Sequence, residues 1–489
     1  MKTPTQSRIV KSINQDVVNR TAARCRKRGV RIPTFRQMAH PEEIPSTITE
    51  RLGGIGLWDV NPLNLFRITW KNDVSTGLFG GVNYLEIPSA ISGVSARIIG
   101  LTGKYFPTGA HKVGAAFGCL VPRLVSGEFD PEHHKAVWPS TGNYCRGGAF
   151  DCALLGCTAV AILPEQMSQE RFDWLKTIGA EVIATPGCES NVKEIYDKCW
   201  ELREEPQNVI FNQFDEFGNP LFHYAVTGPA FQEVYEAACD GERIAAYVSA
   251  TGSAGTIAAG DYLKHRHPGV RIVATEALQC PTLLMNGFGG HRIEGIGDKH
   301  VPWVHNVRNT DAVAAIDDED CMRVLRLFNE EEGKGVLADC GVPTSTIEHL
   351  PLLGISSICN LIAAIKTARY FELTEKDVIF TVFTDSADLY QSRLRELSVE
   401  RGQYAPPQAF RDIEGPLHHQ RADFFKELGY YDRKAIHNLK YYTWVEQQGK
   451  TSEELNAQWD PGYWTELFEE EPAHVDRLIE TFNRKVDGL

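Results

Sequence analysis

The apolar positions of this chain fall into short blocks separated by loops. Val137, Ala159-Val-Ala-Ile-Leu163, Val182-Ile183, Val209-Ile-Phe211, Ala245-Ala-Tyr-Val248, Arg271-Ile-Val-Ala274 and Val378-Ile-Phe-Thr-Val-Phe383 read as strands. Each is followed by turn chemistry and then by a stretch of helical spacing, such as Ser168 to Ile178. Short apolar strands alternating with helices predict a parallel sheet, hence an α/β fold with open, mostly parallel sheets, over residues 96–395. Ligands of such sheets bind beyond the carboxyl ends of the strands. The loops holding Ser140, Gly252 and Ser386 each follow a predicted strand. Residues 1–95 lack the alternation and form an irregular extension, with Gly53-Gly-Ile-Gly56 and Asn61-Pro-Leu, expected to wrap the core or join a subunit interface. Residues 396–489 lose the strand pattern; rich in acids and aromatics (Tyr430-Tyr431, Tyr441-Tyr-Thr-Trp444, Trp459, Trp464), they predict a mainly helical C-terminal extension.

Composition narrows the function classes. At 489 residues the chain exceeds one compact core, so two or three lobes are expected. A formal charge of −14 argues against a nucleic-acid partner. No stretch approaches the roughly 20 apolar residues of a membrane helix. The basic N-terminus has no apolar run behind it, which disfavours a signal peptide and favours a cytoplasmic location. The 12 cysteines are dispersed and are expected as reduced thiols, Cys152 and Cys157 lying in a helix and its exit. His133-His134 and His265/His267 have no cysteine or carboxylate at convincing zinc spacing, so no metal site is expected.

Four segments carry the chemistry: Thr108-Gly-Ala-His-Lys-Val-Gly-Ala-Ala116, Ser140-Thr-Gly-Asn-Tyr-Cys-Arg-Gly-Gly148, Gly252-Ser-Ala-Gly-Thr256 and Thr384-Asp-Ser-Ala-Asp-Leu-Tyr390. Singly, each has a plain structural explanation: a surface lysine, a capped turn, a helix start. Together they offer what pyridoxal 5′-phosphate (PLP) requires. The Lys112 amine can form a Schiff base with its aldehyde. Gly252, Ser253, Ala254, Gly255 and Thr256 can cradle its phosphate at a helix N-terminus. A hydroxyl can face its ring nitrogen.

In order and wording these segments resemble the fold-type II PLP enzymes: cysteine synthase, cystathionine β-synthase, the tryptophan synthase β subunit and the diaminopropionate and serine/threonine ammonia-lyases. The resemblance runs from about Tyr105 to Tyr390. Thr-Gly-Ala-His-Lys112 is similar to the tryptophan synthase β subunit, and Ser140-Thr-Gly-Asn143 to the substrate loop of cysteine synthase. Gly142-Asn-Tyr-Cys-Arg-Gly-Gly148, Ser168-Gln-Glu-Arg171 and Gly179-Ala-Glu-Val182 resemble diaminopropionate ammonia-lyase. Glu294-Gly-Ile-Gly297 and Asp385-Ser386 resemble cystathionine β-synthase.

The resemblance implies a two-lobed core and a homodimer, with Lys112 as the catalytic and cofactor-bearing lysine. It implies Asn143 on the cofactor 3′ oxygen and Ser386 at the pyridine nitrogen. Ser140, Thr141, Gly142, Tyr144 and Gln213 would hold the carboxylate of a small amino-acid substrate, and Glu294-Gly-Ile-Gly297 would line the pocket mouth. A neutral hydroxyl at the ring nitrogen favours β-elimination or β-replacement through an aminoacrylate over transamination; Asp385 or Asp388 in its place would reverse that argument.

Three functions compete. The first is a lyase or β-replacement enzyme like cysteine synthase, acting on an L-amino acid with a β-leaving group. The second is an ammonia-lyase of the diaminopropionate or serine/threonine type, and the third a non-catalytic PLP-binding regulatory subunit. Trp138-Pro-Ser-Thr141 stands where tryptophan synthase carries its acid, and Thr141 where diaminopropionate lyases carry an aspartate. Ser-Thr-Gly-Asn stays nearest to cysteine synthase, although both extensions are foreign to a plain one. The lysine and cradle are intact, against the binding-only reading.

Overall fold

The structure is a computed structural model that describes residues 9–140, 142–187, 191–297 and 299–488. The strands are β1 (Tyr84–Ile87), β2 (Arg97–Thr102), β3 (Lys135–Pro139), β4 (Thr158–Pro164), β5 (Glu181–Thr185), β6 (Asn208–Ile210), β7 (Arg243–Ala250), β8 (Arg271–Ala277), β9 (Ala312–Ile316), β10 (Asp377–Phe383) and β11 (Phe425–Glu427). They form two sheets. One has seven strands in the order β1-β2-β10-β7-β8-β9-β11, the other four in the order β5-β4-β3-β6. All pairings are parallel except β1 with β2 and β11 with β9, at the two edges of the larger sheet. The smaller sheet is an insertion between β2 and β7, so the chain leaves the first lobe, builds the second and returns.

Burial explains the parallel strands. β7, β8 and β10 are buried at nearly every position, because helices cover both faces. On the larger sheet the helix Ile355–Tyr370 packs against β10, β7 and β9 with Ile358, Leu361, Ile362 and Ile365 wholly buried. The helices Lys112–Ser126 and Asn143–Leu155 run side by side between the lobes. Gly147 allows that approach: a Cβ there would stand 2.7 Å from Val113 Cα.

Both extensions enter the core. β1 comes from the N-terminal one and β11 from the C-terminal one, each adding an edge strand to the larger sheet. The N-terminal helix Gln15–Arg28 and the C-terminal helix Pro461–Asp487 pack on each other and on the back of the Lys112 helix. All eleven described cysteines are free. Among the described residues no helix is long and apolar enough to cross a membrane.

Candidate active site

Loops from both sheets converge beyond the carboxyl ends of the strands. After β2 the chain turns through Thr108 and Gly109, both with φ of 69°, and Lys112 opens its helix. A left-handed threonine is held there against a cost of about 1–3 kcal/mol, as backbone strain at functional sites commonly is. Lys112 Nζ donates to Gln213 Oε1 at 3.0 Å and to Ser253 Oγ at 2.9 Å. Gln213 follows β6 and Ser253 follows β7, so three separate loops meet at one amine.

The 252–256 turn leads directly into the helix Ile257–Arg266. Ala254 has a φ of 60°. Gly255 abuts Asn219, whose Oδ1 would lie 2.0 Å from an added Cβ. Asn219 Nδ2 donates to Ser253 Oγ at 3.0 Å and to Gln213 O at 2.8 Å, holding lysine partner and turn in one network. Among the described residues, no backbone N–H of 252–256 donates to a protein acceptor. Unpaired amides at a helix start form an anion site, reinforced by the helix dipole. Thr256 differs from the sequence expectation in detail: its hydroxyl is 2.7 Å from Ser249 Oγ and serves the strand.

On the opposite side Asn143 begins its helix. Its Nδ2 donates to Asp385 Oδ2 at 2.5 Å, and Tyr390 OH donates to the same oxygen at 2.7 Å. Asp385 Oδ1 is buried without a partner, and burial pushes this carboxyl above its ordinary range. Ser140 Oγ accepts from Gly142 N at 2.9 Å, and Gly142 has a φ of 149°. Tyr144 lies edge-on to Trp138, with its phenol buried. The Cys145 thiol donates to Gly142 O at 2.9 Å, and burial pushes it up to about 11, so it is not a thiolate.

Lys112, Ser140, Asn143, Tyr144, Gln213, Gly252 and Ser253 thus border one cavity. Ala254, Gly255 and Thr256 form the turn behind it, and Thr141 lies outside the described residues. Ser386 is buried at the start of the turn Ala387–Tyr390 and is not on the cavity wall. The wall also carries Ser356, in the first turn of the Ile355 helix, 2.6 Å from Thr384 Oγ1. Gly354-Ile-Ser-Ser357 was the missed signal, a serine pair at a helix start. Asp388 is turned away, 2.8 Å from Lys104 Nζ.

Gly295 and Ile296 reach the cavity, while Glu294 is tied into a buried ion cluster with Arg171 (2.9 Å) and Arg393 (2.6 Å). Behind Lys112, the His111 and His223 rings lie 5.0 Å apart. Burial and the neighbouring Lys112 push His111 down to about 3, so it stays neutral. Remote from this site, Asp130 and Glu132 do gather near His133, but Asp130 is bound by Arg20 at 2.7 Å and is not free for a metal.

The model of the pyridoxal-phosphate dependent enzyme family matches residues 104–385, more than half of the chain. A cysteine synthase of Staphylococcus aureus (strain N315) is 30% identical over 321 residues, covering 65% of this chain and 96% of that protein. Cystathionine beta-synthase of Saccharomyces cerevisiae is 29% identical over 318 residues, 63% of this chain and 59% of that protein. Among solved structures, the cysteine synthase of Entamoeba histolytica superposes with a TM-score of 0.56 at 22% identity, over 68% of this chain and 93% of that one. The O-acetylserine dependent cystathionine beta-synthase of Helicobacter pylori gives 0.53 at 24% identity, over 63% and 95%; these likenesses concern the fold. The chain belongs to the pyridoxal-phosphate dependent enzyme family.

The residues present fit the cofactor. They supply an amine, a turn of unpaired amides for the phosphate and side-chain donors for the ring. The cavity is narrow, about 30 Å³.

Proposed function

We propose that this family member removes a β-substituent from a small L-amino acid, by elimination or with replacement, as a cysteine-synthase-like enzyme. The observation that carries the reading is the meeting of Lys112 with the 252–256 turn, its amine 2.9 Å from Ser253 Oγ. When bound, PLP supplies an aldehyde that captures an amino group and a ring that takes up the electron pair left at Cα. Lys112 anchors the cofactor at rest and moves the proton at the substrate Cα. The amides of 252–256 and the Ser253 hydroxyl hold the phosphate. Asn143 orients the ring oxygen, itself braced by Asp385.

Ser386, with Ser356 of the cavity wall as the second candidate, offers a hydroxyl to the ring nitrogen. An alcohol does not keep that nitrogen protonated, which favours loss of a β-leaving group over transamination. The 140–144 loop, Thr141 included, and Gln213 hold the substrate carboxylate. That loop closes over the reacting carbon and keeps water out. The relatives named above support the same chemistry, and a cytoplasmic homodimer accords with it.

The test is an absorbance scan of the PLP-incubated protein with serine, O-acetylserine, cysteine, diaminopropionate and threonine in turn. The expected result is a lysine-bound cofactor band near ~410–430 nm. Lys112→Ala is expected to lose that band and to lower turnover by roughly three orders of magnitude or more. A substrate bearing a β-leaving group is expected to shift the band and release a keto acid or a β-replaced product. Absence of the band in the wild type overturns the reading. Turnover of diaminopropionate or threonine alone assigns the ammonia-lyase chemistry instead.

A further inference from the structure

The C-terminal extension lies beyond the residues matched by the family model, which end at 385, yet it reaches the walls of the Lys112 cavity. Two walls are involved. One is the turn after β6, where Gln213 and Phe214 line the cavity. The other is the segment between β8 and β9, which brings Gly295 and Ile296 to the cavity and carries His300, Val301 and Trp303 further on. The two touch directly, since Val304 N donates to Phe214 O at 3.2 Å. Neither wall is helix or strand, so its position depends on the side chains packed against it. Side chains of the extension hold both. Trp444, wholly buried, donates Nε1 to Val301 O at 2.8 Å, and its ring lies 5.5 Å from that of His300 and 6.1 Å from that of Tyr196. Phe214 closes this group from the cavity side, its ring 5.1 Å from His300 and 6.1 Å from Tyr196. Lys440, also wholly buried at the end of the helix Tyr430–Lys440, donates Nζ to Trp303 O at 2.9 Å and to His305 O at 2.8 Å. Lys450 pairs with Asp215 at 3.0 Å, two residues from Gln213.

We propose that Trp444, Lys440 and Lys450 are positioning residues of the Lys112 site. By holding the 213–215 turn against the 299–305 segment, they set Gln213 where it meets both the resting amine and the substrate carboxylate. The inference rests on the amino-acid reading of that site and adds to it a component from outside the matched residues. Apolar packing alone would cover the two walls; the indole and ammonium donors also fix their backbone, because hydrogen bonds are directional. The consequence for activity follows from what Gln213 holds. The substrate carboxylate takes no part in the bond changes at Cα and Cβ, so its partner binds ground state and transition state alike. A Gln213 that drifts therefore raises KM and spares kcat.

The experiment takes the PLP-saturated full chain and its variants through hydrogen exchange read by mass spectrometry, and through steady-state kinetics with the amino acid that is turned over. Lys450→Met is expected to speed exchange in peptides over 209–217 and to leave kcat and the cofactor band unchanged. It is expected to raise KM about threefold to fivefold, the scale of one partly exposed ion pair. Lys450→Arg is expected to restore both exchange and KM. Asp215→Asn is expected to match Lys450→Met, and the double variant to be no worse than either. Trp444→Phe keeps a ring in the group but loses the bond to Val301; it is expected to speed exchange over 299–305 and to raise KM in the same way. A purely structural role would lower the melting temperature and leave KM as it is. That outcome, or unchanged exchange in both peptides, overturns the inference. Absence of turnover and of the cofactor band concerns the Lys112 reading, and the exchange measurements then still decide whether the extension holds the two walls.

Discussion

Two serines make opposite predictions for the same chemical role. Ser356 stands on the cavity wall, and its hydroxyl shares a 2.6 Å hydrogen bond with Thr384; Ser386 is buried at the start of the turn Ala387–Tyr390. A neutral hydrogen bond contributes about 1 kcal/mol, close to a tenfold effect on rate. Ser386→Ala is therefore expected to lower kcat/KM about tenfold and to shift the cofactor absorbance, and Ser356→Ala to change neither. The reverse pattern in a paired kinetic and spectral comparison assigns the role to Ser356. At this scale the sequence was most informative where side-chain chemistry is local. A lysine, a glycine-rich turn and a Ser-Thr-Gly-Asn loop are each ambiguous alone and gain their meaning from their order along the chain. Ser356 was missed because Gly-Ile-Ser-Ser357 reads equally well as a helix cap. Asp385 was noticed, but its bond to Asn143 joins residues 242 positions apart, which no local pattern reports.

Between elements, one buried electrostatic tie is the cluster of Arg171, Glu294 and Arg393. Arg171 comes from the helix Gln169–Thr177 of the smaller lobe, Glu294 from the loop after β8, and Arg393 from the segment after Tyr390. Arg171 is wholly buried and its Nη2 donates to Tyr390 OH at 3.0 Å, so the cluster is joined to Asp385 and Asn143. Glu294→Gln leaves a buried arginine without its carboxylate, at a cost of about 3–5 kcal/mol. The variant is expected to melt several degrees lower and to show a raised KM, since Arg171 also backs Gly142 of the substrate loop. A melting curve and KM equal to those of the wild type would show that the cluster does not join the lobes. The same elements indicate which strands a one-dimensional reading finds. β4, β7, β8 and β10 are mainly apolar runs buried at nearly every position. β2 is interrupted by Gly100, whose missing Cβ makes room for the Phe383 ring, and β9, Ala-Val-Ala-Ala-Ile316, has the composition of a helix. β1 and β11 are four- and three-residue edge strands with exposed positions, so their pairing is visible only in three dimensions.

At the scale of the whole molecule the two ends of the chain clasp each other behind the Lys112 helix. Arg26 donates to Val486 O at 2.6 Å, Arg31 pairs with Asp487 at 2.8 Å, and Asp476 accepts from Phe35 N at 2.7 Å. Asp476 is also one of several buried carboxyls whose titration opposes that of the buried histidines. His111, His300, His305 and His437 are pushed down to about 3, chiefly by burial, from about 6.5 in an unfolded chain. Their contribution is complete above pH 6.5 and is lost as pH falls towards 3, each at about 1.4 kcal/mol per pH unit. Burial raises Asp476 to about 6, Asp261 to about 7 and Glu276 to about 8, and Asp151 is raised as well. The folded state keeps protons there that an unfolded chain releases near pH 4, so their contribution is complete below pH 4 and is lost as pH rises through the folded values. Lys440, which burial holds well below its ordinary range, and His223 slope with the histidines, so carboxyl titration is read most directly as the difference between wild type and a variant lacking one of the carboxyls. Glu276→Gln removes one group from the alkaline limb, so its melting temperature relative to wild type should rise steadily from pH 5 to about 8. Calorimetric scans of both proteins from pH 3.5 to 9 measure this. A Glu276→Gln difference independent of pH would mean that Glu276 is ionised in the folded protein and that its charge is met some other way.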